Sequence, residues 1–182
     1  MLRKAFIGAI ISAWFAFSAH SAFADSAAEI SKDSQAALQS LYAKIPKAKQ
    51  LGSKALAVLV FPSVVKAGLG VGGQYGDGGL IKGGKTVAYY KTAGASVGLQ
   101  AGAQKYGYAL FFMNAGALQQ IDKAEGFDVG VGPTLVVLDE GMAKSMTTTT
   151  MKDDIYAFIF DQKGLMAGFG LQGNKITKIN PK

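Results

Sequence analysis

The sequence predicts an α+β fold: a mainly antiparallel, glycine-rich β domain with a curved or barrel-like sheet, preceded by an amphipathic helix and interrupted by one inserted helix. Short runs of strand-forming residues, separated by turn residues, follow one another from residue 55 onwards. The long crossover helices that join parallel strands are missing from this pattern. The chain also contains 24 glycines, which suit sheets that bend sharply or approach another backbone closely.

The first 24 residues have the pattern of a cleavable signal peptide. Arg3 and Lys4 precede the apolar stretch Ala5–Phe17, and Ala22–Ala24 form a small-residue cleavage site. The apolar stretch is shorter than the roughly 20 residues that a membrane-spanning helix needs, and an uncleaved anchor is the alternative. We therefore expect an exported protein, periplasmic or envelope-associated, and the absence of cysteine excludes a lipid-modified N-terminal cysteine.

Composition excludes several kinds of site. Removal of residues 1–24 takes away the only His, Trp and Arg, which are His20, Trp14 and Arg3, and the chain has no Cys. Nucleophile–His pairs and the usual zinc or haem sites cannot then form, so we predict no enzyme, no metal and no cofactor. Guanine reading and bidentate phosphate binding favour arginine, so no nucleic-acid partner is expected.

The remaining positive charge is carried by lysine alone. Residues 25–182, which we expect to form a single domain, contain 17 lysines against 12 acidic residues, a net charge of +5. Lysine is a compact point charge that suits diffuse contact with anionic surfaces such as lipid head groups. The alternative is a lysine-rich face that only keeps the domain solvated.

A helical arm at residues 25–54 is predicted to precede a mainly β region at 55–182. Apolar residues recur near every 3.6 positions over 26–45, which predicts an amphipathic helix. Pro46 ends this helix, because the residue before a proline is pushed out of the helical region. The same proline can begin a second, short helix over 46–54.

Four lysines, Lys44, Lys47, Lys49 and Lys54, cluster around the junction of the two predicted helices. An amphipathic helix leading into a basic junction can lie on an anionic membrane with its apolar side inserted. Each lysine near such a surface contributes roughly 1 kcal/mol. The alternative is that the apolar side packs on the β domain and the lysines only keep the arm soluble.

The β region reads as short strands bounded by glycine and proline turns. Asn114 can cap the inserted helix Ala115–Ala124, and Gly126 can stop it. Val64–Ala67 leads into the glycine-rich stretch that follows. The predicted strands are Ala55–Phe61, Thr86–Lys91, Ala95–Ala103, Tyr108–Met113, Phe127–Val131, Thr134–Leu138, Met146–Thr150, Ile155–Phe160, Leu165–Leu171 and Lys175–Ile179.

Glycines at alternate positions predict a face without side chains. Gly68, Gly70 and Gly72 would share one face of a strand. Such a face lets another backbone approach closely or lets the sheet bend sharply. Residues 93–104 carry glycine at every fourth position, and a helix with small residues at that spacing is the alternative there.

Two segments match nucleotide-binding sequence motifs, and we reject both as nucleotide sites. Gly79–Thr86 satisfies the phosphate-loop pattern, and Leu135–Asp139 has the look of a strand ending in a magnesium-binding Asp. A phosphate loop must run into a helix, but β-branched and aromatic residues follow Thr86 and predict a strand. We expect a hairpin with Lys82–Lys85 at its tip. Gly68–Gly73 matches the dinucleotide fingerprint without the helix that it requires.

Four blocks resemble the SYLF domain family, in the family's order. Ala55–Gly73 is similar to the opening block, Lys85–Tyr90 and Gly98–Gln104 to the middle, and Phe158–Gly168 to the closing block. The resemblance extends over about residues 35–179. It implies a non-enzymatic lipid-binding module, since eukaryotic relatives bind phosphoinositide membranes through a basic surface and an N-terminal amphipathic helix. Some of those relatives also bind actin, and bacterial relatives are exported.

Carried onto this chain, the resemblance implies an anionic phospholipid or membrane surface as partner. Phosphatidylglycerol or cardiolipin would replace phosphoinositides in bacteria, and actin is not expected for an exported protein. A structural or interaction protein of the cell envelope, with an envelope protein as partner, is the alternative. A carrier of a small apolar ligand in the β domain and a nucleotide-binding enzyme are less favoured. The implied lipid-binding residues are Lys44, Lys47, Lys49, Lys54 and Lys66.

Overall fold

The computed structural model describes residues 26–123, 125–129, 131–138, 152–164 and 174–182. The predicted signal peptide and the strands predicted at 146–150 and 165–171 lie outside these residues. The elements are α1 (Ala27–Lys44), α2 (Pro46–Gly52), β1 (Ala57–Lys82), β2 (Lys85–Phe112), α3 (Ala115–Gln120), β3 (Phe127–Asp128), β4 (Leu135–Leu138), β5 (Ile155–Gly164) and β6 (Asn174–Ile179).

One long antiparallel hairpin, β1 with β2, organises the sheet. Its register runs from Ala57 opposite Phe112 to Lys82 opposite Lys85. The other edge of β2 is shared by two strands: β5 pairs near its C-terminal end and β6 nearer its start. β3 adds to β6, and β4 adds to β5 as the parallel pair of a largely antiparallel sheet. The curled, half-barrel sheet and its helices confirm the predicted α+β class.

The hairpin folds back on itself half-way along β1. A side chain on Gly68 would overlap the backbone of Gly72, so the strand turns tightly between these residues. Beyond the turn, a Cβ on Gly76 would lie 2.6 Å from the carbonyl oxygen of Ser63. The second half of β1 therefore lies against the first, at a distance that only glycine permits. The sharp bend and the close backbone approach predicted for the alternate glycines are both present.

The sequence pattern predicted several strands where the structure has one, β2. The three predicted strands at 86–91, 95–103 and 108–113 form one continuous element, and the helical alternative for 93–104 is wrong. Gly94 and Gly107 lie inside this strand and do not end it. A side chain on Gly94 would overlap Asn174, and one on Gly107 would overlap the ring of Phe160. These glycines provide room for neighbours distant in sequence, a requirement that has no local signal.

The helices follow their local signals. Ser26 and Glu29 form a capping box at the start of α1, and Pro46 begins α2. Asn114 caps α3 by accepting a 2.8 Å hydrogen bond from the Ala117 backbone N–H. The third helix ends at Gln120, earlier than predicted, and a turn follows it.

The sheet has two packed faces. The inner face carries an aromatic core that includes Phe61, Tyr108 and Phe112. Near the start of β1, the outer face of the sheet is covered by α1 and α2. The buried Leu38 and Leu41 of α1 belong to a second cluster. The apolar side of α1 is thus packed on the β domain, which was the alternative to a free amphipathic arm.

Ser34 of α1 ties the two halves of β1 together. Its hydroxyl donates to the Val60 carbonyl at 3.2 Å and accepts from the Gly79 N–H at 3.0 Å. The residue is fully buried. Because Val60 and Gly79 lie on opposite sides of the fold-back, one side chain satisfies a backbone group from each half.

The close approach at Gly78 predicts a selective cost for a methyl group. Gly78→Ala would force Cβ into the Val60 carbonyl and to 2.6 Å from the ring of Phe61, so we expect a loss of about 1–3 kcal/mol in unfolding free energy. Gly73→Ala is the matched control, because its nearest neighbour is 3.9 Å away, and we expect a change within about 0.5 kcal/mol. Urea denaturation measures both, and equal effects would contradict the fold-back.

Ser34→Ala tests the two hydrogen bonds by which Ser34 joins the halves of β1. The variant leaves the Val60 carbonyl and the Gly79 N–H buried without a partner, so we expect a loss of about 1–3 kcal/mol in unfolding free energy. Ser53→Ala is the control, since this exposed hydroxyl donates to the nearby Gln50 carbonyl, and its effect should stay within about 0.5 kcal/mol. A Ser34 variant as stable as the Ser53 variant would contradict the role of these hydrogen bonds in joining the two halves of β1.

Candidate functional site

Four of the five predicted lipid-binding lysines lie around the junction of α1 and α2. Lys44, Lys49 and Lys54 are exposed, and Lys47 is half-buried. Lys44 forms a 2.6 Å ion pair with Asp161 of β5, and both side chains remain largely exposed. Such a pair contributes little to stability, so the junction is a solvated basic surface.

Lys66 is separated from the other four lysines. It is only 6% exposed and lies opposite Gln104 in the sheet register, on the inner face. A register shift between Phe61 and Val64 reverses the alternation of inward and outward residues along β1. This bulge, which carries no obvious local signal beyond Pro62, turns Lys66 inward.

A groove of about 610 Å³ lies between α1, α2 and the tip of the β1–β2 hairpin. We call it the α2 groove. Leu38 and Tyr42 of α1 and Lys49 of α2 line it on one side, and Ile81 and the tip glycines line it on the other. Gly83 and Gly84 have φ of 58° and 77°, a conformation that makes the tight turn predicted for the tip.

The hairpin tip brings two further lysines to the α2 groove. Lys82 and Lys85 flank the tip glycines and are exposed. The sequence predicted this tip but not its position opposite α2, because that position depends on the fold-back of β1. The described residues that line the groove include no carboxylate, and burial raises the pKa of Tyr42, so its hydroxyl stays neutral at ordinary pH.

Near the fold-back, the described residues leave a stretch of outer sheet uncovered, which we call the apex face. It consists of the outward residues of β1 from Val65 to Tyr75. Four large side chains on it are exposed: Val65 by 51%, Leu69 by 84%, Val71 by 67% and Tyr75 by 47%. On β2, exposed alanines accompany them, as at Ala93 and Ala103. Near the start of β1, the same side of the sheet is buried under α1 and α2.

Lysines flank the apex face on both sides. Residues opposite one another in neighbouring strands share a face, and the register places Val65, Lys105 and Lys163 in one row. Tyr75, Ala93 and Lys175 form the corresponding row on the other half of the hairpin. Lys91 completes the set, with its Nζ 5.4 Å from the centre of the Tyr75 ring. These flanking lysines are Lys91, Lys105, Lys163 and Lys175.

Acidic residues near the flanking lysines are fewer. Asp77 lies opposite Lys91 and accepts a hydrogen bond from the Tyr75 hydroxyl at 2.9 Å. Asp128 lies opposite Lys175. Asp33 of α1 lines a small pocket beside Val65 and Tyr75. Among the described residues, four lysines against three aspartates leave a small positive excess around the apex face.

The inner face is closed by hydrogen-bonded tyrosines. The Tyr108 hydroxyl donates to Thr92 and the Tyr106 hydroxyl donates to Gln74, each at 2.7 Å. Burial raises the pKa of Tyr106 to about 12, so it is neutral at physiological pH. Near them, Gln104 Oε1 and Asn174 Nδ2 have no hydrogen-bond partner among the described residues. The interior is therefore filled by side chains and is polar towards the apex.

The family comparison covers the second half of the chain. Residues 93–181 match the family described as Ysc84, Las17-binding protein actin regulator. Residues 93–181 thus match a Ysc84 (SYLF) domain. The match confirms the family resemblance, although the opening block at 55–73 lies before the matched residues. No curated protein matches the chain.

The Ysc84 domain contains most of the apex surroundings. Lys105, Lys163 and Lys175 lie within the matched residues, whereas the lysines at 44–66 precede them. The family consists of non-catalytic binding domains. Within the described ranges, no group of three or more His, Cys, Asp or Glu side chains is placed to hold a metal. The helices in the same ranges are too short or too polar to cross a bilayer.

The phosphate-loop match, which precedes the Ysc84 domain, folds as the predicted hairpin. Residues 79–86 comprise the end of β1, the tip and the start of β2, while Asp139 lies outside the described residues. A phosphate loop needs a helix N-terminus after the glycines, and a strand stands there. The sequence-based rejection of the motif thus agrees with the structure.

The hairpin geometry predicts the absence of nucleotide binding at residues 79–86. We expect no heat signal when ATP or GTP with Mg²⁺ is titrated into the protein by calorimetry, and no change in melting temperature. Lys85→Ala should leave both measurements unchanged. Nucleotide-dependent stabilisation that Lys85→Ala removes would restore the enzyme hypothesis.

Proposed function

We propose that the protein is a non-enzymatic module that binds anionic phospholipid surfaces at the cell envelope, with the apex face as its contact. The observation that carries the proposal is an exposed aliphatic patch with lysines on both sides. Exposed contiguous apolar surface rimmed by polar residues is typical of membrane or protein contacts. The predicted signal peptide supports the envelope as the location.

Apolar insertion and charge would act together at the apex face. Full burial of a Leu or Val side chain contributes about 1.5–3 kcal/mol, and Leu69 and Val71 are the two most exposed large apolar side chains of the apex face. Each flanking lysine near an anionic surface adds roughly 1 kcal/mol. These terms together are large enough for reversible attachment without any membrane-spanning element.

Insertion of α1, by contrast, would disrupt the core. Its Leu38 and Leu41 pack in the cluster that contains Phe111 and Phe158. Moving them into a bilayer would expose the outer face of the sheet to water. The junction lysines could therefore meet a membrane only by charge, with α1 still docked.

The junction and the apex face lie towards opposite ends of the folded hairpin. Lys49 lines the groove at the hairpin tip, whereas Leu69 lies at the bend, half-way along β1. One flat bilayer would meet one end or the other. Variants at the two ends therefore distinguish the surface inferred from the structure from the one inferred from sequence.

An envelope protein is the second candidate partner. The family description names a Las17-binding actin regulator, which is a protein-binding role, and an apolar patch also suits a protein interface. The lysines on both sides of the patch favour the anionic lipid surface. A protein partner would bind without regard to lipid charge.

Removal of apolar surface at the apex should weaken vesicle binding. For Leu69→Ser with Val71→Ser we expect a loss of at least about tenfold in affinity for vesicles of phosphatidylglycerol and phosphatidylcholine, measured by co-sedimentation. Val87→Ser with Val131→Ser is the control, because both valines are exposed elsewhere. Equal affinity of the two double variants would contradict apex insertion.

Charge-reversal variants distinguish the apex face from the helix junction as the membrane contact. Lys105→Glu with Lys163→Glu should abolish binding to anionic vesicles, and Lys47→Glu with Lys49→Glu, which changes net charge equally, should have a smaller effect. Binding should also fall at high salt. Loss with the second pair alone would assign the membrane contact to the helix junction, and failure of the unmodified protein to bind any vesicle would favour a protein partner.

A further inference from the structure

The α2 groove has apolar walls built from distant parts of the chain. Leu38 of α1, Val58 of β1 and Ile81 near the hairpin tip are buried and form its deeper side. Leu56, in the segment between α2 and β1, is 44% exposed and lies at the opening. The groove therefore has an apolar floor and a polar rim, and it remains open along one side.

One wall depends on a close contact between α1 and α2. A side chain on Gly52 would overlap the hydroxyl of Tyr42, so the tyrosine ring lies over the end of α2. The ring centre of Tyr42 is 6.4 Å from that of Phe111, which fixes the ring against the core. One wall of the groove is thus aromatic, with the Tyr42 ring packed between the end of α2 and Phe111.

The opening of the groove is polar and carries one charge type. Lys49 is the charged residue among its described lining residues, and Gln35 and Gln39 are its other long polar side chains. Nearby, Lys82 and Lys85 flank the tip. A buried aliphatic interior with a cation at the opening complements a molecule with an apolar tail and an anionic head.

We propose that the α2 groove binds one acyl chain of an anionic single-chain amphiphile, with its head group at Lys49. The groove volume of about 610 Å³ lies within the range of roughly 300–1,000 Å³ typical of small-ligand sites. A free fatty acid and a lysophospholipid share the required chemistry. This site is separate from the apex face, so it does not depend on the membrane contact proposed above.

Displacement of a fluorescent fatty acid measures this binding. The probe is 11-(dansylamino)undecanoic acid, added to the full chain as purified, and the competitors are palmitate, palmitoyl-lysophosphatidylglycerol and uncharged monopalmitoylglycerol. We expect both anionic competitors to displace the probe, and the uncharged one to do so more weakly. Displacement by only one anion would identify the source of the chain, and equal displacement by all three would overturn the role of Lys49.

Two variants localise the chain. Lys49→Met should weaken palmitate binding about tenfold, which corresponds to about 1.4 kcal/mol, and leave monopalmitoylglycerol binding unchanged. Lys47→Met is the matched control, because Lys47 lies two residues from Lys49 on α2 and outside the groove lining, and it should bind as the unmodified protein does. Equal effects of the two substitutions would show that the charge acts at a distance and not at the groove.

Obstruction of the groove provides an independent test. Gln39 is exposed on α1, so Gln39→Trp should fold normally while placing an indole over the channel, and we expect it to abolish probe binding. The apex variant Leu69→Ser with Val71→Ser should retain probe binding. Probe binding that survives Gln39→Trp but disappears with the apex variant would overturn the groove proposal and assign the chain to the apex face.

Discussion

The fold-back of the β1–β2 hairpin is the constraint on which the rest of the structure depends. It places the second half of β1 against the first, with Ser34 bonded to Val60 on one side and Gly79 on the other. The same turn exposes the apex face and carries the hairpin tip to α2. Without it, β1 and β2 would form a long open ribbon with neither an enclosed core nor a groove.

The two strands of the hairpin contribute different things to that fold. β1 supplies space, because Gly68, Gly76 and Gly78 leave no side chains where its halves meet. β2 supplies bulk, since Tyr90, Tyr108 and other large residues fill the enclosed inner face. Glycine costs conformational entropy in a strand, and here the aromatic burial that the close approach permits offsets that cost.

Local signals in the sequence predicted the local structure. Pro46, the Ser26 cap and the glycines of the hairpin tip placed α1, α2 and the turn correctly, because each acts on its immediate neighbours. The break predicted between the strands at 86–91 and 95–103 is absent, and the group that needs the space at Gly94 is Asn174, eighty residues away. Exposure of Leu69 likewise has no local signal, because an apolar residue in a strand pattern predicts burial. The apex face and the α2 groove are both formed by the fold-back, so they could not be predicted from the sequence.

The pairings of β5 and β6 with β2 follow one register. Gly164 lies opposite Gln104 and Asn174 opposite Gly94, so ten residues separate the two pairings on each strand. Because side chains alternate between the faces of a strand, a shift of one residue moves each of them to the other face. The length of the segment between Gly164 and Asn174 therefore decides which side chains of β6 enter the core. One inserted residue there would displace β6 by one position and turn Ile176 from the inner face to the outer one.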